Sequence, residues 1–523
     1  MAAPNLGLQP QTRPLRRRPA DDDKQRKLKP NETKHRASAP PASTDPLVSR
    51  RHKLDRLREE GVDPFPHAYP GVVPISTALN THTDLGAGVK TDSQYRVAGR
   101  LVARRGQGKA TFLDVADRSG RIQLHARLDE LGEQRFAQLD NLDLGDMIGV
   151  DGVAFRTRRG ELTLCVKELA LLAKSLRPPP EKHHGLRNVE TRFRHRELDL
   201  IASEETRALF VARAKAIAGI RRFLDDADFV EVETPILQPV YGGANAQPFT
   251  THHNALDREL YLRIATELYL KRCMIGGLER VYELGKDFRN EGTSQKHSPE
   301  FTMLEFYEAY ADYKDIATRV EALVAAAAGA MGYAGEVDFS RPWKRETLAG
   351  AILVRTGVDI FEARDRASLA AAMAQRNLKV PPGGSWAQLV DDLVTKHVEP
   401  TLIEPTFLFD YPVELSPFAK RHREDDRLAE RWEAYVQGME IANAFTELND
   451  PDDQRARLEQ QRTDAAAGDE EAQPYDEAFL QALEQGMPPT GGVGIGIDRL
   501  VMALTGKRSI REVVLFPAMR SAL

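Results

Sequence analysis

The stretch Arg280–Tyr313 reads RVYELGKDFRNEGTSQKHSPEFTMLEFYEAYADY and predicts a hairpin of two β-strands. The first strand-like run ends at Arg289, a loop around Gly292 follows, and the second run begins at Phe301. A guanidinium group offers paired donors to two phosphate oxygens. We therefore interpret Arg289, beside a cationic loop, as a candidate phosphate clamp at the centre of the fold.

The second strand of this hairpin carries a carboxylate among apolar side chains. Alternation places Phe301, Met303, Glu305 and Tyr307 on one face. A buried carboxylate needs a partner. Glu305 therefore belongs either to an internal ion pair or to a site for a cationic substrate, and this strand alone leaves both open.

Acidic residues also recur in Glu433–Asn449, which reads EAYVQGMEIANAFTELN. Because Glu433, Glu440 and Glu447 are seven residues apart, a helix would align them on one stripe. Two strands meeting near Gly438 would also bring them together. Carboxylates that face phosphates need a divalent cation between them, and oxygen ligands suit Mg²⁺. The apolar residues interleaved among them weigh against a merely exposed acidic surface.

A glycine-rich run, Gly491–Leu504, reads GGVGIGIDRLVMAL and predicts a strand that leads into an apolar helix. It differs from a dinucleotide-binding fingerprint because no third glycine opens the helix. Its glycines would instead let ATP or a planar base approach the backbone, with Arg499 at the start of the helix.

Composition excludes several other classes of protein. The 523 residues are 41% hydrophobic and 29% charged, which excludes wholesale disorder, and no run approaches the ~18 apolar residues of a membrane span. Two cysteines and the lack of an apolar leader favour a reducing, cytoplasmic location. Residues 1–60 hold 15 Lys and Arg against 8 Asp and Glu, so a basic arm precedes an acidic body. Such an arm suits nucleic acid, or is simply a solvated tail.

Changes of pattern divide the chain into segments. Residues 1–45 are predicted to be a disordered basic extension. Residues 46–176 begin with a basic helix and continue with about five strand-like runs, as in an OB-fold β-barrel. Residues 177–190 form a linker, and residues 191–523 mix helices and strands in one large α+β domain. Within it, the segment at about 315–400 has the pattern of a helical insertion.

Together these segments resemble class II aminoacyl-tRNA synthetases. FVEVETPIL, FRNEG with HSPEFTMLE, and GIGIDRL are similar to the three motifs of that class, in the same order. PFTTHHNALDRELYLRIATELYLKR and MEIANAFTELNDPDDQ are similar to lysyl-tRNA synthetases of bacterial type, and the resemblance covers roughly residues 47–520. It implies an antiparallel sheet flanked by helices, preceded by an anticodon-binding barrel, and a homodimer with Pro235 at its interface. It also implies that ATP activates L-lysine, which is then transferred to the 3′ end of tRNA(Lys).

The resemblance implies a role for each matching residue of the lysine pocket. The residues expected to bind lysine are Glu267, Arg289, Glu305, Tyr307, Asn443 and Glu447. Of these, Glu447 and Tyr307 would receive the ε-ammonium group. Glu267 and Glu305 would receive the α-ammonium group, and Asn443 would contact the carboxylate. Carboxylates at a side-chain pocket favour a cationic amino acid over aspartate, which would need a cation there.

The same resemblance assigns the contacts to ATP, metal and tRNA. Arg289 and Arg499 would be catalytic, and the residues expected to bind ATP are Arg289, Glu291, Lys296, His297, Phe301 and Arg499. Phe301 and Arg499 would sandwich the adenine, and Glu433 and Glu440 would hold Mg²⁺. On the barrel, Phe112 and Gln123 would stack on and hydrogen-bond to an anticodon base. Weaker candidates nearby are Arg104, Arg105 and Glu161.

Other functions compatible with this fold fit the sequence less well. An enzyme that lysylates a protein would typically lack the barrel. A non-catalytic RNA-binding protein is disfavoured by the intact Arg289, Glu433, Glu440 and Arg499. A fusion that lysylates membrane lipids is excluded by the missing spans. One departure concerns Lys296, which stands where many relatives have arginine and so keeps the charge but loses the bidentate fork.

Overall fold

The computed structural model describes residues 45–106, 108–180, 186–340, 342–466 and 473–520. Contacts between residues divide the chain into two compact units, one ending at Pro178 and the other beginning at Pro179. The predicted basic extension lies outside the described residues apart from Asp45, as do positions 181–185 of the predicted linker. No helix in the described ranges is both long and apolar enough to cross a membrane.

The first unit contains a closed five-stranded barrel, which confirms the predicted OB-fold. Its strands are β1 (Lys90–Arg105), β2 (Ala110–Ala116), β3 (Arg121–Arg127), β4 (Met147–Arg156) and β5 (Leu162–Ala173). They follow the order β1-β2-β3-β5-β4 around the barrel, and the β3–β5 pair is parallel whereas the others are antiparallel. Three helices accompany them: α1 (Pro46–Glu59), α2 (Ile75–Thr81) and α3 (Leu128–Ala137).

Alternation decides which side chains fill this barrel and which face outward. On β2 and β3 the buried apolar residues include Leu113, Val115, Ile122 and Leu124. The residues between them therefore lie on the outer face. Helix α1 matches the predicted basic helix, but its Arg50 is buried and donates to backbone carbonyl oxygens, so this cation is structural.

The second unit is built on a large, mainly antiparallel sheet, which confirms the predicted α+β class. Its strands are β6 (Val230–Glu231), β7 (Leu237–Gln238), β8 (Thr250–His253), β9 (Arg258–Leu262), β10 (Arg280–Phe288), β11 (Glu300–Ala309), β12 (Lys344–Thr347), β13 (Thr406–Pro412), β14 (Leu428–Val436), β15 (Met439–Thr446) and β16 (Thr490–Gly496). Eight of them form one sheet in the order β12-β13-β14-β15-β16-β11-β10-β6, and β7-β9-β8 form a smaller one. Only the pairs at the two edges of the large sheet, β12–β13 and β6–β10, are parallel.

Three helices cover one face of this sheet, whereas a fourth, at Glu267–Ile275, packs on the other face beside the cavity described below. The helices are α4 (Val189–Arg194), α5 (Arg196–Ala202), α6 (Glu204–Asp225), α7 (Glu267–Ile275), α8 (Tyr313–Met331), α9 (Leu348–Thr356), α10 (Arg366–Gln375), α11 (Trp386–Leu393), α12 (Pro451–Ala466), α13 (Glu477–Leu483), α14 (Ile497–Thr505) and α15 (Ile510–Val513). Side chains of α6, α8 and α14 pack with Leu304 and Phe306 of β11 in the main core. The predicted alternation is therefore correct, because Phe301, Met303, Glu305 and Tyr307 line a cavity instead.

The segment at about 315–400 is less uniform than the predicted helical insertion. Helix α8 opens it but packs in the main core, and β12 joins the edge of the large sheet. Helices α9, α10 and α11 form a separate hydrophobic core around residues such as Leu369 and Leu389. Whether this part is an insertion stays a prediction.

The acidic segment Glu433–Asn449 is a hairpin rather than a helix. Strands β14 and β15 pair antiparallel and turn at Gln437 and Gly438, which have φ angles of 53° and 69°. Two left-handed residues match the twist of a tight hairpin, and glycine takes up this conformation without strain. The spacing of the three glutamates allowed either a helix or two strands, and the structure contains the two strands.

Candidate active site

A cavity of about 300 Å³ lies on the face of β11 that points away from the main core. Its other walls include the loop between β10 and β11, strands β15 and β16, and the starts of α7 and α14. The predicted lysine, ATP and metal residues that line it are Glu267, Arg289, Glu291, Lys296, His297, Phe301, Glu305, Tyr307, Glu440, Asn443, Glu447 and Arg499. Glu433 alone among that predicted set does not line it.

Three buried carboxylates converge at one end of this cavity. Glu267, Glu305 and Glu447 expose 5%, 5% and 1% of their surface. They come from the start of α7, the middle of β11 and the residue that follows β15, so three separate parts of the chain bring them together. The Oε1 atom of Glu447 has no hydrogen-bond donor in the described part of the chain. Such a group calls for a cationic ligand, because an unpaired buried carboxylate is costly.

Glu305 is held in place by two donors and is poorly ionised. The backbone N–H of Thr266 and the Tyr307 hydroxyl each donate to its carboxylate at 3.2 Å. Burial raises the pKa of Glu305 to about 8, with Asp287 and Glu267 adding to the effect. The group is therefore largely protonated near neutral pH until a cation joins it.

This cluster contains a buried lysine that was not predicted from the sequence. The Lys271 ammonium lies 2.8 Å from Oε1 of Glu267 and 2.6 Å from Oε2 of Glu447. Lysine one turn after glutamate is common on helix surfaces, so the spacing alone favours an exposed pair. The missed signal is that the apolar residues Leu270 and Met274 lie on the same side of α7 and mark that side as buried.

A glycine shapes the wall beside Glu447. A Cβ atom on Gly492 of β16 would collide with Oε1 of Glu447 and with the Tyr307 ring. Only glycine therefore leaves room for these two side chains, and this explains part of the glycine-rich run. At Gly494, two residues further on, a Cβ atom would find its nearest neighbour, the Met303 sulfur, at 3.7 Å.

The other end of the cavity is cationic and aromatic. The Arg289 guanidinium carbon lies 5.1 Å from the centre of the Phe301 ring, and Arg289 Nε donates to the Ile264 carbonyl oxygen at 3.3 Å. These contacts hold the guanidinium at the mouth of the hairpin loop. Arg289, Phe301 and Arg499 all line the cavity, so the structure brings the predicted phosphate and adenine contacts to one region.

Two residues of the loop between β10 and β11 are fixed by local bonds. The Lys296 ammonium donates to the Gly438 carbonyl oxygen at 2.7 Å. His297 shares a 2.8 Å hydrogen bond with the Ser294 hydroxyl. Burial lowers the pKa of His297, and the nearby Arg499 and Lys296 lower it further, so its imidazole is neutral at physiological pH.

The two predicted metal ligands are engaged by arginines. Glu440 forms a 2.9 Å ion pair with Arg499, and Glu433 accepts from Arg431 and from the Tyr411 hydroxyl. Burial raises the pKa of Glu440, Arg499 acts the other way, and Glu433 raises it further. Within the described residues no group of three or more His, Cys, Asp or Glu side chains is placed to hold a metal ion by itself.

Arg431 is a second site residue that was not predicted from the sequence. It lies on β14 and is covered by the Tyr411 and Phe445 rings. Its Nε donates to Oδ1 of Asn443 at 3.1 Å. Because Oδ1 accepts this bond, the amide NH2 group is the end of Asn443 that can donate to a substrate carboxylate. The sequence offered no signal, because Arg431 and Asn443 meet only through strand pairing.

Gln473 is a third residue that was not predicted from the sequence, and its side chain holds in place a loop that lines the cavity. Its Oε1 accepts from the Gly243 N–H at 3.1 Å, and its Nε2 donates to Ala244 and Asn245. Gln473 is 2% exposed. The loop borders Glu267, since a Cβ atom on Gly243 would lie 2.9 Å from the Glu267 Cβ. The amide therefore positions the backbone beside one of the three carboxylates.

A separate candidate surface lies on the outer face of the barrel in the first unit. The Phe112 ring stacks on His125 with centres 4.4 Å apart, and His125 in turn contacts Phe155. Gln123, on the same face of β3 as His125, accepts from the Thr163 hydroxyl at 3.0 Å. Aromatic rings next to a polar amide can stack on and hydrogen-bond to an unpaired base. His125 was not among the predicted residues.

The weaker barrel candidates are placed differently from one another. Arg105 pairs with Asp114, which follows Phe112 by two residues on β2 and lies directly opposite Gln123 of β3 on the same outer face. Arg104 instead donates to the Leu139 carbonyl oxygen and to Asp140. Glu161 is exposed two residues before Thr163.

Each of the two units matches a known protein family. A family model described as tRNA synthetases class II (D, K and N) matches residues 188–520, and one described as an OB-fold nucleic acid binding domain matches residues 95–172. The lysine–tRNA ligase of Moorella thermoacetica is 50% identical over 486 residues, which cover 92% of this chain and 98% of that protein. The lysine–tRNA ligase of Chloroflexus aurantiacus is 49% identical over 91% of this chain and 98% of its own length. That of Pelotomaculum thermopropionicum is 48% identical over 90% and 94%. The chain therefore belongs to the class II aminoacyl-tRNA synthetases, in the family of the lysine–tRNA ligases.

Proposed function

We propose that this enzyme activates L-lysine with ATP and transfers it to tRNA(Lys) for translation. The observation that carries the choice of lysine is the negative charge buried in the cavity. In the part of the chain that the structure describes, Lys271 is the one cation paired with Glu267 and Glu447 at this end of the cavity, so two negative charges remain there once Glu305 ionises. The two ammonium groups of free lysine balance them. Aspartate or asparagine, which bring a single ammonium group, would leave a carboxylate unpaired at a cost of ~1–3 kcal/mol or more.

The proposed reaction has two steps. The lysine carboxylate attacks the α-phosphorus of ATP, so that a new P–O bond forms and pyrophosphate leaves. The terminal hydroxyl of tRNA then attacks the carbonyl carbon of lysyl-adenylate, and AMP leaves. Both steps depend on positioning and charge neutralisation more than on a dedicated base.

The residues at the cationic end take the ATP roles in this proposal. Arg289 holds the α-phosphate and the lysine carboxylate, which its placement at the cavity wall supports. Phe301 and Arg499 hold the adenine. Glu291, Lys296 and His297 contact the nucleotide from the loop. At the acidic end, Glu267 and Glu305 receive the α-ammonium group and Glu447 with Tyr307 receives the ε-ammonium group. Asn443 donates to the substrate carboxylate.

Glu433 and Glu440 are suited to hold Mg²⁺ when ATP is bound. Mg²⁺ usually takes one or two carboxylates and completes its coordination with phosphate oxygens and water, so two carboxylates beside the bound phosphates would be enough. Burial of Glu440 next to Glu433, which raises the pKa of Glu440, also favours a cation there. The ion would neutralise charge on the phosphates.

We further propose that the barrel reads the anticodon. Phe112 supplies a stacking surface and Gln123 an amide for hydrogen bonds, with Arg105, Arg104 and Glu161 as weaker contacts. Unpaired RNA bases are generally recognised in this way. A role in translation implies that the enzyme acts in the cytoplasm.

We also propose that the enzyme is a homodimer. Val230, Ile236 and Leu237 expose 48%, 44% and 47% of their surface around the exposed Pro235. A patch of apolar side chains of this kind is typical of an interface between subunits. Ile236→Glu should shift the protein from dimer to monomer in sedimentation velocity. A dimer that withstands this change would contradict the placement of the interface.

Lysine-dependent exchange of pyrophosphate with ATP tests the proposed activation step. Arg289→Ala should lower the exchange rate by about two to three orders of magnitude. The substitution removes a positive charge that would stabilise the negative charge developing at the reacting phosphate. Arg421→Ala, an exposed arginine of the same unit, is the matched control and should exchange at the wild-type rate. Near-normal exchange in Arg289→Ala would overturn the assignment.

A further inference from the structure

Lys271 is a buried cation that the proposed reaction does not use. It lies on α7 one turn after Glu267, and none of its surface is exposed. It is not among the residues that line the cavity, so it lies behind the wall formed by Glu267 and Glu447. The Phe418 ring, which does line the cavity, covers the ammonium with its centre 5.3 Å away. Lysine is almost never fully buried unless it is paired.

We propose that Lys271 is a specificity-determining residue that sets the charge of the amino-acid pocket. This inference rests on the proposed function. The charge of Lys271 would explain why the pocket accepts an amino acid with two ammonium groups rather than one or three. By neutralising one of three carboxylates, Lys271 leaves a pocket that is complete only when two further cations enter.

The geometry of the two ion pairs supports this role. The Lys271 ammonium group lies within ion-pair distance of Oε1 of Glu267, at 2.8 Å, and of Oε2 of Glu447, at 2.6 Å. Among the described residues neither oxygen of Glu447 accepts a well-directed hydrogen bond, and only Oε2 has the Lys271 ammonium within ion-pair distance, although Glu447 lines the cavity. Lys271 therefore orients two carboxylates that are brought together from α7 and from the residue that follows β15. It works through them and is a positioning group rather than a catalytic one.

The surroundings of Lys271 keep it charged. The ionisable groups around this cluster are Glu267 on α7, Glu305 and Tyr307 on β11, and Glu447 after β15. Burial alone would lower the pKa of Lys271, but Glu267 and Glu447 outweigh it and raise the pKa. Burial raises the pKa of Glu447 while Lys271 opposes the rise. Without the cation, the two carboxylates would repel each other and one would bind a proton.

Lys271→Met in the full-length enzyme tests the proposal by pyrophosphate exchange. The KM for lysine should rise about tenfold or more at pH 7, because one of the two carboxylates that Lys271 keeps ionised binds a proton and can no longer pair with an ammonium group of the substrate, while the KM for ATP stays unchanged. The ratio of the KM values for lysine, variant over wild type, should shrink as pH rises from 6.5 to 8.5, because the carboxylate that bound a proton ionises again. A residue with only a structural role would not produce this pH dependence.

Lys174→Met is the matched control. Lys174 is equally buried and also lies between two carboxylates, Asp143 at 2.6 Å and Asp146 at 2.8 Å, but in the barrel unit. Its loss should leave the KM for lysine unchanged. If Lys271→Met does not fold, Lys271→Arg takes its place, because it keeps the positive charge but moves its position. A smaller rise in the KM for lysine alone is then expected, because the retained charge still keeps both carboxylates ionised while the shifted guanidinium moves them.

The outcomes separate this proposal from the proposed function. If the wild type shows no lysine-dependent exchange, the proposed function fails. If the wild type exchanges but the variant keeps the KM for lysine within about twofold, or shifts the KM values for lysine and ATP equally, Lys271 does not set specificity. A KM ratio that does not change with pH would also overturn the proposal. In the variant Lys271→Ala, added ethylamine should lower the KM for lysine. A KM that ethylamine does not lower would contradict the proposal.

Discussion

Glu305 should make the binding of lysine depend on pH. Its pKa is raised to about 8 by burial and by the neighbouring Asp287 and Glu267. The carboxyl group must lose its proton before it can pair with an ammonium group. Raising the pH from 6.5 to 8.0 should therefore strengthen lysine binding, with at most about a tenfold fall in Kd for each pH unit.

Calorimetric titration of lysine at several pH values measures this effect. Glu305→Gln should bind lysine more weakly and without this pH dependence. Glu308→Gln changes a glutamate on the opposite face of β11, which pairs with Arg280 and Arg319, and should keep the pH dependence. A Kd that stays constant or rises with pH in the wild type would show that Glu305 is already ionised.

Individual residues differ in how far the sequence could predict them. The positions of Glu305 and Tyr307 on one strand face followed from alternation, because both belong to one continuous strand. Lys271 and Arg431 were missed, since their partners lie on other elements and only tertiary packing brings them together. Paired charges of this kind leave no pattern in the local sequence.

At the scale of elements, strand β16 should tolerate a methyl group at one glycine and not at another. Gly492→Ala would drive a Cβ atom into Glu447 and the Tyr307 ring, and should raise the KM for lysine about tenfold or more. Gly494→Ala has its nearest neighbours at 3.7 Å and 3.8 Å and should leave the KM for lysine within about twofold. Pyrophosphate exchange at varied lysine concentrations compares the two. Equal effects would contradict the proposed shape of the pocket.

The loop that precedes β8 should depend on a single amide from a distant segment. Gln473→Leu removes hydrogen bonds to Gly243, Ala244 and Asn245. Hydrogen–deuterium exchange in residues 242–247 should become faster, because the loop opens more often. The KM for lysine should rise several-fold. Gln485→Leu, an exposed control, should change neither, and unchanged exchange in Gln473→Leu would mean that the loop is held by other contacts.

Some elements could be predicted better than others. The hairpin of β10 and β11 followed from its strand-like runs and its loop. The spacing of Glu433, Glu440 and Glu447 fitted a helix and a hairpin equally, and the turn at Gly438 decided between them. The parallel edge pairs could not be predicted, because β6 has only two residues and no pattern of its own.

For the whole molecule, we expect the two units to serve separate steps. Phe112→Ala on the barrel should raise the KM for tRNA(Lys) in the charging reaction about tenfold or more, since it removes a stacking surface worth ~1–3 kcal/mol. Pyrophosphate exchange, which needs no tRNA, should stay at the wild-type rate. Phe65→Ala, an exposed phenylalanine of the same unit, is the control. A loss of exchange in Phe112→Ala would mean that the barrel residue affects the activation site.

The central claim is that charge in the cavity of the second unit selects lysine. The most direct test supplies the purified enzyme with ATP, Mg²⁺ and unfractionated tRNA, and measures charging with each of the twenty amino acids in turn. Glu447→Gln is assayed beside the wild type. Charging with lysine alone, and its loss in Glu447→Gln, is the predicted result. Charging with aspartate or asparagine, or a wild-type rate in Glu447→Gln, would contradict the claim.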